Sequence, residues 1–265
     1  MIRTIALLTD FGLDDHYVGV MKGVILNISP GLQLVDIAHN IAPQDIVQGA
    51  LTLKSAYRFF PKKTIFVAVV DPGVGSRRKP IILKTKDYLF VAPDNGLLWP
   101  IAHQQKQTRF YEITNDSYFL KPVSNTFHGR DIFAPIAAYL AKGVSVDKLA
   151  RKIQTLTHLT LPQPLVDRRK KTITGEILRM DRFGNLITNI EQKHLKGFER
   201  NFAVQFKGKV IRHLSRSYSG VKKGQVLATI ESTGCLEIAV NKGCARQKFK
   251  AHPGDPVKVI MGKAQ

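Results

Sequence analysis

Two short apolar runs, TIALLT at 4 to 9 and TIFVAVV at 64 to 70, each stop at an aspartate, Asp10 and Asp71. Neither run alternates apolar with polar residues, so both read as strands covered on both faces. Between them, 17 to 28 and 43 to 59 carry apolar residues at helical spacing, and VDIA at 35 to 38 reads as a short strand. PIILKTKDYLFVA, from 80 to 92, reads as two strands around a polar turn. Strands alternating with helices imply an α/β layer with a largely parallel sheet. Ligands of such sheets collect at the carboxyl ends of the strands, where Asp10 and Asp71 fall.

The rest of the chain changes texture. GRDIFAPIAAYLAKG reads as a helix stopped by Gly143, with Pro135 inside it. LPQPLVDRRKK, 161 to 171, joins two prolines to a basic run and reads as an interdomain linker. Beyond it come short alternating segments separated by glycines: TITGEILRMD, GNLITNI, FAVQFKGKVI, QVLATIES, CLEIAVN and VKVIMG. These predict a small antiparallel β-domain, sandwich or barrel. The expected division is an N-terminal α/β domain over 1–160, a linker over 161–171 and an all-β domain over 172–265. No solenoid repeat or low-complexity tract interrupts it.

With 265 residues, 44% of them hydrophobic, the chain can bury a substantial core. Forty basic residues against twenty acidic give a formal charge of +20. The excess is uneven: residues 1 to 167 hold 19 basic and 13 acidic groups, residues 168 to 265 hold 21 and 7. Such a surface fits an anionic partner such as nucleic acid, or merely a solvated face, and no helix-turn-helix, zinc-knuckle or RNP pattern accompanies it. Nucleic acid is therefore a possible partner but not the favoured one. The N-terminal apolar stretch is too short for a signal peptide, and IFAPIAAYLA at 132 to 141 is about half a membrane span. No membrane association and a cytoplasmic location are expected. Cys235 and Cys244 are expected to be free, buried thiols.

Five stretches hold candidate chemistry. TDFGLDDHYVG, 9 to 19, crowds three carboxylates and a tyrosine at a strand end; it can grip ribose hydroxyls or a metal, or be a helix cap and a solvated loop. VVDPGVGSRRKP, 69 to 80, lacks both the P-loop and the dinucleotide patterns, leaving Asp71 with Arg77 and Arg78 across a glycine-bent turn. APDNGLL at 92 to 98 contains a strong turn at Asp94, Asn95 and Gly96. NTFHGRDIFAP at 125 to 135 sets His128 before a helix, beside Arg130 and an Asp131 placed to favour the helix N-terminus. MDRFGNLITNI, 180 to 190, offers Asp181, Phe183, Asn185 and Asn189, suited to an amino-acid head group and an adenine-sized ring, or to a hairpin bend. No HxxxH, HxH or CxxC spacing occurs, so no metal site is expected, and there is no GxSxG nucleophile elbow.

In order, TDFG…YVG, HNIAPQDIVQGA, VVDPGVGSRR, APDNGLL, FHGRDIFAP, DRFGNLITNI and LEIAVN resemble the adenosine-forming S-adenosylmethionine hydrolases, or hydroxide adenosyltransferases, relatives of fluorinase and chlorinase. The resemblance spans nearly the whole chain. It implies an α/β domain joined to a β-barrel, homotrimers with S-adenosylmethionine (SAM) bound between subunits, and hydrolysis of SAM to adenosine and L-methionine. SAM is then the substrate, and no cofactor is expected. The implied catalytic set is Asp71, Arg78 and His128, with His128 protonatable and adding positive charge; which of the three takes the proton is open. The implied substrate-binding residues are Asp10, at the ribose hydroxyls, with Asp15, Tyr17, Asn95 and Ser232, and Asp181 and Asn185 at the methionine end beside Phe183. Cys235 departs from the pattern, standing where an aromatic is expected. Halide transfer by the same fold is the nearest alternative, disfavoured because Asp71 places a carboxylate where a halide would sit. A basic nucleic-acid or adenosine-binding module without catalysis is the alternative from another class, and a non-catalytic ligand sensor is a third.

Overall fold

The computed structural model describes residues 3–196, 202–212 and 214–261. The chain forms two compact units, Met1–Thr160 and Leu161–Gln265, each with its own core.

The first unit runs β1 (Thr4–Thr9), α1 (Tyr17–Ile28), β2 (Gln33–Ala38), α2 (Ile46–Ala56), β3 (Ile65–Val69), β4 (Pro80–Lys84), β5 (Leu89–Pro93), α3 (Trp99–Gln104) and β6 (Arg109–Ile113), closing with α4 (Ala134–Lys142), α5 (Val146–Leu149) and β7 (Ala150–Ile153). The sheet order is β2-β1-β3-β5-β4-β6-β7. Pairings β2-β1, β1-β3 and β3-β5 are parallel; β5-β4, β4-β6 and β6-β7 are antiparallel. The sheet is thus mixed, parallel only across its first four strands. The hairpin that brings β4 back beside β5 is what ends the parallel run.

Strict alternation divides the buried strands between two layers. Ile5, Leu7, Ile65 and Val67 pack with Met21 and Ile25 of α1 and with α4. Ala6, Leu8, Phe66 and Ala68 face the other way, against Ala50 and Leu53 of α2 and Ile101 of α3. Helices on both faces explain why these strands are continuously apolar. In the register of β1 and β3, Thr9 lies opposite Val69, so Asp10 and Asp71 emerge at the same edge of the sheet.

The expected helix around Pro135 is two pieces. A single π turn, Gly129–Phe133, leads into α4, with the Ala134 N–H on the Gly129 carbonyl, so Pro135 falls in the first turn of α4 directly after the widened turn. Gly143 ends α4 at φ +97°, its N–H donating to the Leu140 carbonyl.

The second unit contains β8 (Leu165–Asp167), β9 (Thr172–Met180), β10 (Leu186–Glu191), β11 (Phe202–Phe206), β12 (Lys209–Ile211), β13 (Val226–Ile230), β14 (Cys235–Val240), α6 (Ala245–Phe249) and β15 (Pro256–Met261). Its strands are antiparallel in the order β12-β11-β15-β9-β10-β14-β13, with β8 on β9. A bridge from Leu214 to Ala228 draws the chain after β12 onto β13, curling the sheet into a nearly closed barrel. Ile173, Ile177, Leu186, Leu236, Ile238, Val257 and Val259 fill it. The segment expected as a linker holds β8, whose Val166 pairs with Ile173 and packs on the barrel core. Gly262, closing the last expected strand segment, lies outside the described residues.

Candidate active site

Asp71 stands just past β3, and the chain then folds back through two turns, Val74 N–H to the Asp71 carbonyl and Ser76 N–H to the Gly73 carbonyl. Arg78 thereby returns to the strand end. Its Nε donates to both Asp71 carboxylate oxygens at 3.0 Å, and its Nη2 to Oδ2 at 2.6 Å. The side chains of Arg78 and Asp71 are only 9% and 5% exposed. The same Nη2 lies 2.6 Å from Nδ1 of His128, and the guanidinium sits over the Phe133 ring. Arg77, adjacent in sequence, is exposed, which settles the pairing on Arg78.

Two glycines permit this fold-back. A Cβ on Gly73 would press on Ser76 Oγ and Arg78 Cγ. Gly75 has φ +76°, and a Cβ there would stand 2.4 Å from the Asn125 carbonyl oxygen. The turn is therefore packed directly on the loop that leads to His128.

An arginine N–H can only donate, so Nδ1 of His128 accepts and the ring proton belongs on Nε2. Burial first, and then the Arg78 charge, push His128 below the usual histidine value; Asp71 and Asp131 pull the other way. His128 is therefore neutral here, which corrects the expectation that it contributes positive charge. In this cluster that charge belongs to Arg78. Asp131 does not serve the helix N-terminus either: fully buried, it accepts from the Ser124 N–H at 2.8 Å and pairs with Arg130 at 2.6 Å, bracing the His128 loop.

The acidic loop after β1 is held from below. Thr9 Oγ1 lies 2.8 Å from His39 Nδ1, His39 Nε2 is 3.0 Å from Asp36, and the Gly12 N–H donates to the His39 carbonyl. Asp10 is half-buried and accepts from the Gln44 N–H at 2.8 Å, leaving its other oxygen for a ligand. Asp15 is exposed. Tyr17 begins α1, its ring edge-on to Phe127 at 5.1 Å and near Phe11 at 5.8 Å. This aromatic wall next to His128 reaches into sequence reasoning only through Tyr17; the phenylalanine preceding His128 was its signal for Phe127. Asn95 is committed structurally: its Nδ2 donates to the Val70 carbonyl at 2.8 Å and its Oδ1 accepts from the Leu97 N–H. It fixes the end of β3 beneath Asp71.

In the second unit Asp181 and Asn185 form one group. The Asn185 N–H and Nδ2 donate to the two Asp181 carboxylate oxygens at 2.8 and 2.9 Å. Phe183, on the same turn, is 77% exposed. Gly184 holds the turn at φ +80°, and a Cβ there would meet Cys244 Sγ at 2.2 Å. Asn189 is drawn into the fold, accepting from the Glu176 N–H and donating to the Pro162 carbonyl. Ser232 is exposed, with its Oγ 3.5 Å from Glu231. Cys235 and Cys244 form no disulfide and are half-buried rather than buried. Sequence reasoning passed over Glu237, a carboxyl buried in β14; its signal was an acid inside the apolar run CLEIAV. Among the described residues no group of three or more His, Cys, Asp or Glu side chains could hold a metal ion, and no helix is long and apolar enough to cross a membrane.

The chain thus joins a mixed α/β unit, with an Asp-Arg-His cluster at its strand ends, to an antiparallel barrel-like unit with an acid-amide pair. Residues 5–150 match the SAM hydroxide adenosyltransferase N-terminal domain and residues 175–258 the corresponding C-terminal domain, and the chain belongs to that family. It is 37% identical over 97% of its length to an (R)-S-adenosyl-L-methionine hydrolase of Salinispora tropica, covering 98% of that protein. It is 27% identical to a fluorinase of an Actinoplanes species, over 96% of both chains. An uncharacterized conserved protein from Thermotoga maritima has the same fold, with a TM-score of 0.90 and 38% identity over 97% of this chain and 99% of that one.

Proposed function

We propose that the protein hydrolyses S-adenosyl-L-methionine to adenosine and L-methionine. The observation that carries this reading is the closed ion pair of Arg78 with Asp71, joined by a neutral His128, within a chain of this family. The sulfonium is already an activated leaving group, so the site has to place one water in line with the ribose C5′ and exclude others. Asp71 accepts a hydrogen bond from that water, while Arg78 and the Nε2–H of His128 donate to the oxygen as it gains negative charge. As the new O–C5′ bond forms, the C5′–S bond breaks, methionine leaves with the sulfur electron pair, and the water proton passes to the cluster. Asp10 holds the ribose hydroxyls, with Asp15 and Tyr17 lining the adenosyl site. Asp181 and Asn185 bind the amino-acid end, Phe183 lies against the adenosine, and Ser232 completes the ligand set.

Purified protein incubated with SAM in 18O-labelled water is expected to yield labelled adenosine and equimolar methionine. No adenosine across a range of pH and salt overturns the reading. In-line displacement predicts inversion at a stereospecifically deuterated C5′. Chloride is expected to give no 5′-chloro-5′-deoxyadenosine, because the Asp71 carboxylate repels an anion. We assign a homotrimer on the strength of the resemblance, and a cytoplasmic setting on a chain with only two cysteines, which form no disulfide. Three chains of 29.6 kDa should sediment as one species of roughly 89 kDa.

A further inference from the structure

Glu237 lies in the middle of β14 with 2% of its surface exposed, and among the described residues its buried Oε1 has no hydrogen-bond partner. Leu236 and Ile238 on either side fill the barrel core, so alternation turns Glu237 to the opposite face. On that face its cross-strand neighbours are Ile187 of β10 and Thr229 of β13, and Ile187 pairs in turn with Arg179 of β9. The charged and titratable groups acting on Glu237 are Tyr218 of the turn 218–220, Asp181 past the end of β9, Glu231 past the end of β13, and Arg179. Asp181 and Glu231 thus act on the Glu237 carboxyl against the Arg179 guanidinium. Burial above all, with Asp181 and Glu231 adding to it and Tyr218 and Arg179 opposing, pushes the Glu237 carboxyl up to about 7.

A buried polar atom left without a partner is rare and costly, and this one faces, across Ile187 of β10, the end of β9 that leads into Asp181. We propose that Glu237 is a positioning residue behind Asp181, which gives up its proton when an ammonium group reaches Asp181 and thereby tightens the hold on that cation. The inference rests on the reading of Asp181 as the ammonium-binding group. The O–H bond of the Glu237 carboxyl breaks and its proton leaves to solvent past Tyr218. That side chain is 46% exposed, and its own hydroxyl, pushed up to about 12 by burial and by Glu237, stays protonated. A positive charge at Asp181 favours ionised Glu237, so by linkage ionised Glu237 favours the cation. Affinity therefore rises as pH rises through about 7.

The test is calorimetric titration of the full-length protein with S-adenosylhomocysteine, which keeps the ammonium group and does not turn over, in two buffers of different ionisation heat. At pH 7 the wild type is expected to release about half a proton per ligand bound. Between pH 6 and 7.5, below the ordinary range of the ligand amino group, its affinity should rise roughly eightfold. Glu237→Gln should bind with no such release and a flat profile. Tyr218→Phe removes the hydroxyl that stabilises ionised Glu237, and should move the midpoint of the profile upward. Adenosine, lacking the ammonium, should bind to wild type and Glu237→Gln with equal proton exchange. Proton release or pH dependence in Glu237→Gln equal to wild type, or an unmoved midpoint in Tyr218→Phe, overturns the proposal. A wild type that shows this linkage but forms no adenosine from SAM overturns the hydrolase reading alone.

Discussion

At the scale of single residues, the ionisation states in the cluster are set by who donates to whom. Arg78 spends one N–H on His128, and that bond exists only while Nδ1 is unprotonated. His128 is held below the usual histidine value, so in the unfolded chain it binds a proton at a pH where the folded chain does not. Stability contributed by neutral His128 is present above about 6.5 and is lost as pH falls from there through its lower folded value. Activity should fall in the same acid range, and His128→Gln should remove that acid limb from a pH profile of kcat. Asp71→Asn keeps the shape but removes the charge that orients water. Adenosine formation should drop by about a hundredfold or more, measured by chromatography. Arg78→Lys cannot reproduce the fork that meets Asp71 and His128 at once and should lose a comparable factor. The family resemblance singled out Asp71, Arg78 and His128 together, since the residues of the turn alone leave Arg77 and Arg78 open; the protonation of His128 was not legible, because it depends on a donor fifty residues away in the chain.

At the scale of elements, the short stretch between β3 and β4 does the positioning. Its two tight turns and the Gly75 contact with the Asn125 carbonyl join the Asp71 and His128 loops into one piece. Gly75→Ala forces an L-residue into left-handed backbone and against a carbonyl it cannot displace. It should destabilise the protein by about 1–3 kcal/mol in denaturant titration and lower adenosine formation as well. β1, α1, β3, β4 and β5 could be read from apolar runs and turn residues almost to their ends. The π turn before α4 could not, since it sits where Gly129 packs closely among Met21, Phe127 and Phe11, surroundings that local sequence does not display. The same reason hid the switch to antiparallel pairing after β5, a matter of which edge a hairpin meets.

For the whole molecule, charge is the property most visible in composition. A formal +20 opposes the approach of a cationic substrate, and salt screens that opposition. Raising ionic strength from about 20 to 200 mM should therefore increase kcat/KM for SAM; a decrease would show that local carboxylates such as Asp10 and Asp181 dominate the encounter. The division into an α/β part and a β part was legible because the texture of the sequence changes near residue 161, while closure of the barrel was not, since it rests on a bridge between Leu214 and Ala228. Every hydrogen bond that builds the Asp71, Arg78 and His128 cluster begins and ends within the first unit. On the proposed assignment of Asp181 and Asn185 to the amino-acid end, reactivity and ligand preference are expected to be inherited separately: a chimera carrying this first unit and a relative's barrel should keep its reaction chemistry while exchanging its taste for the amino-acid tail.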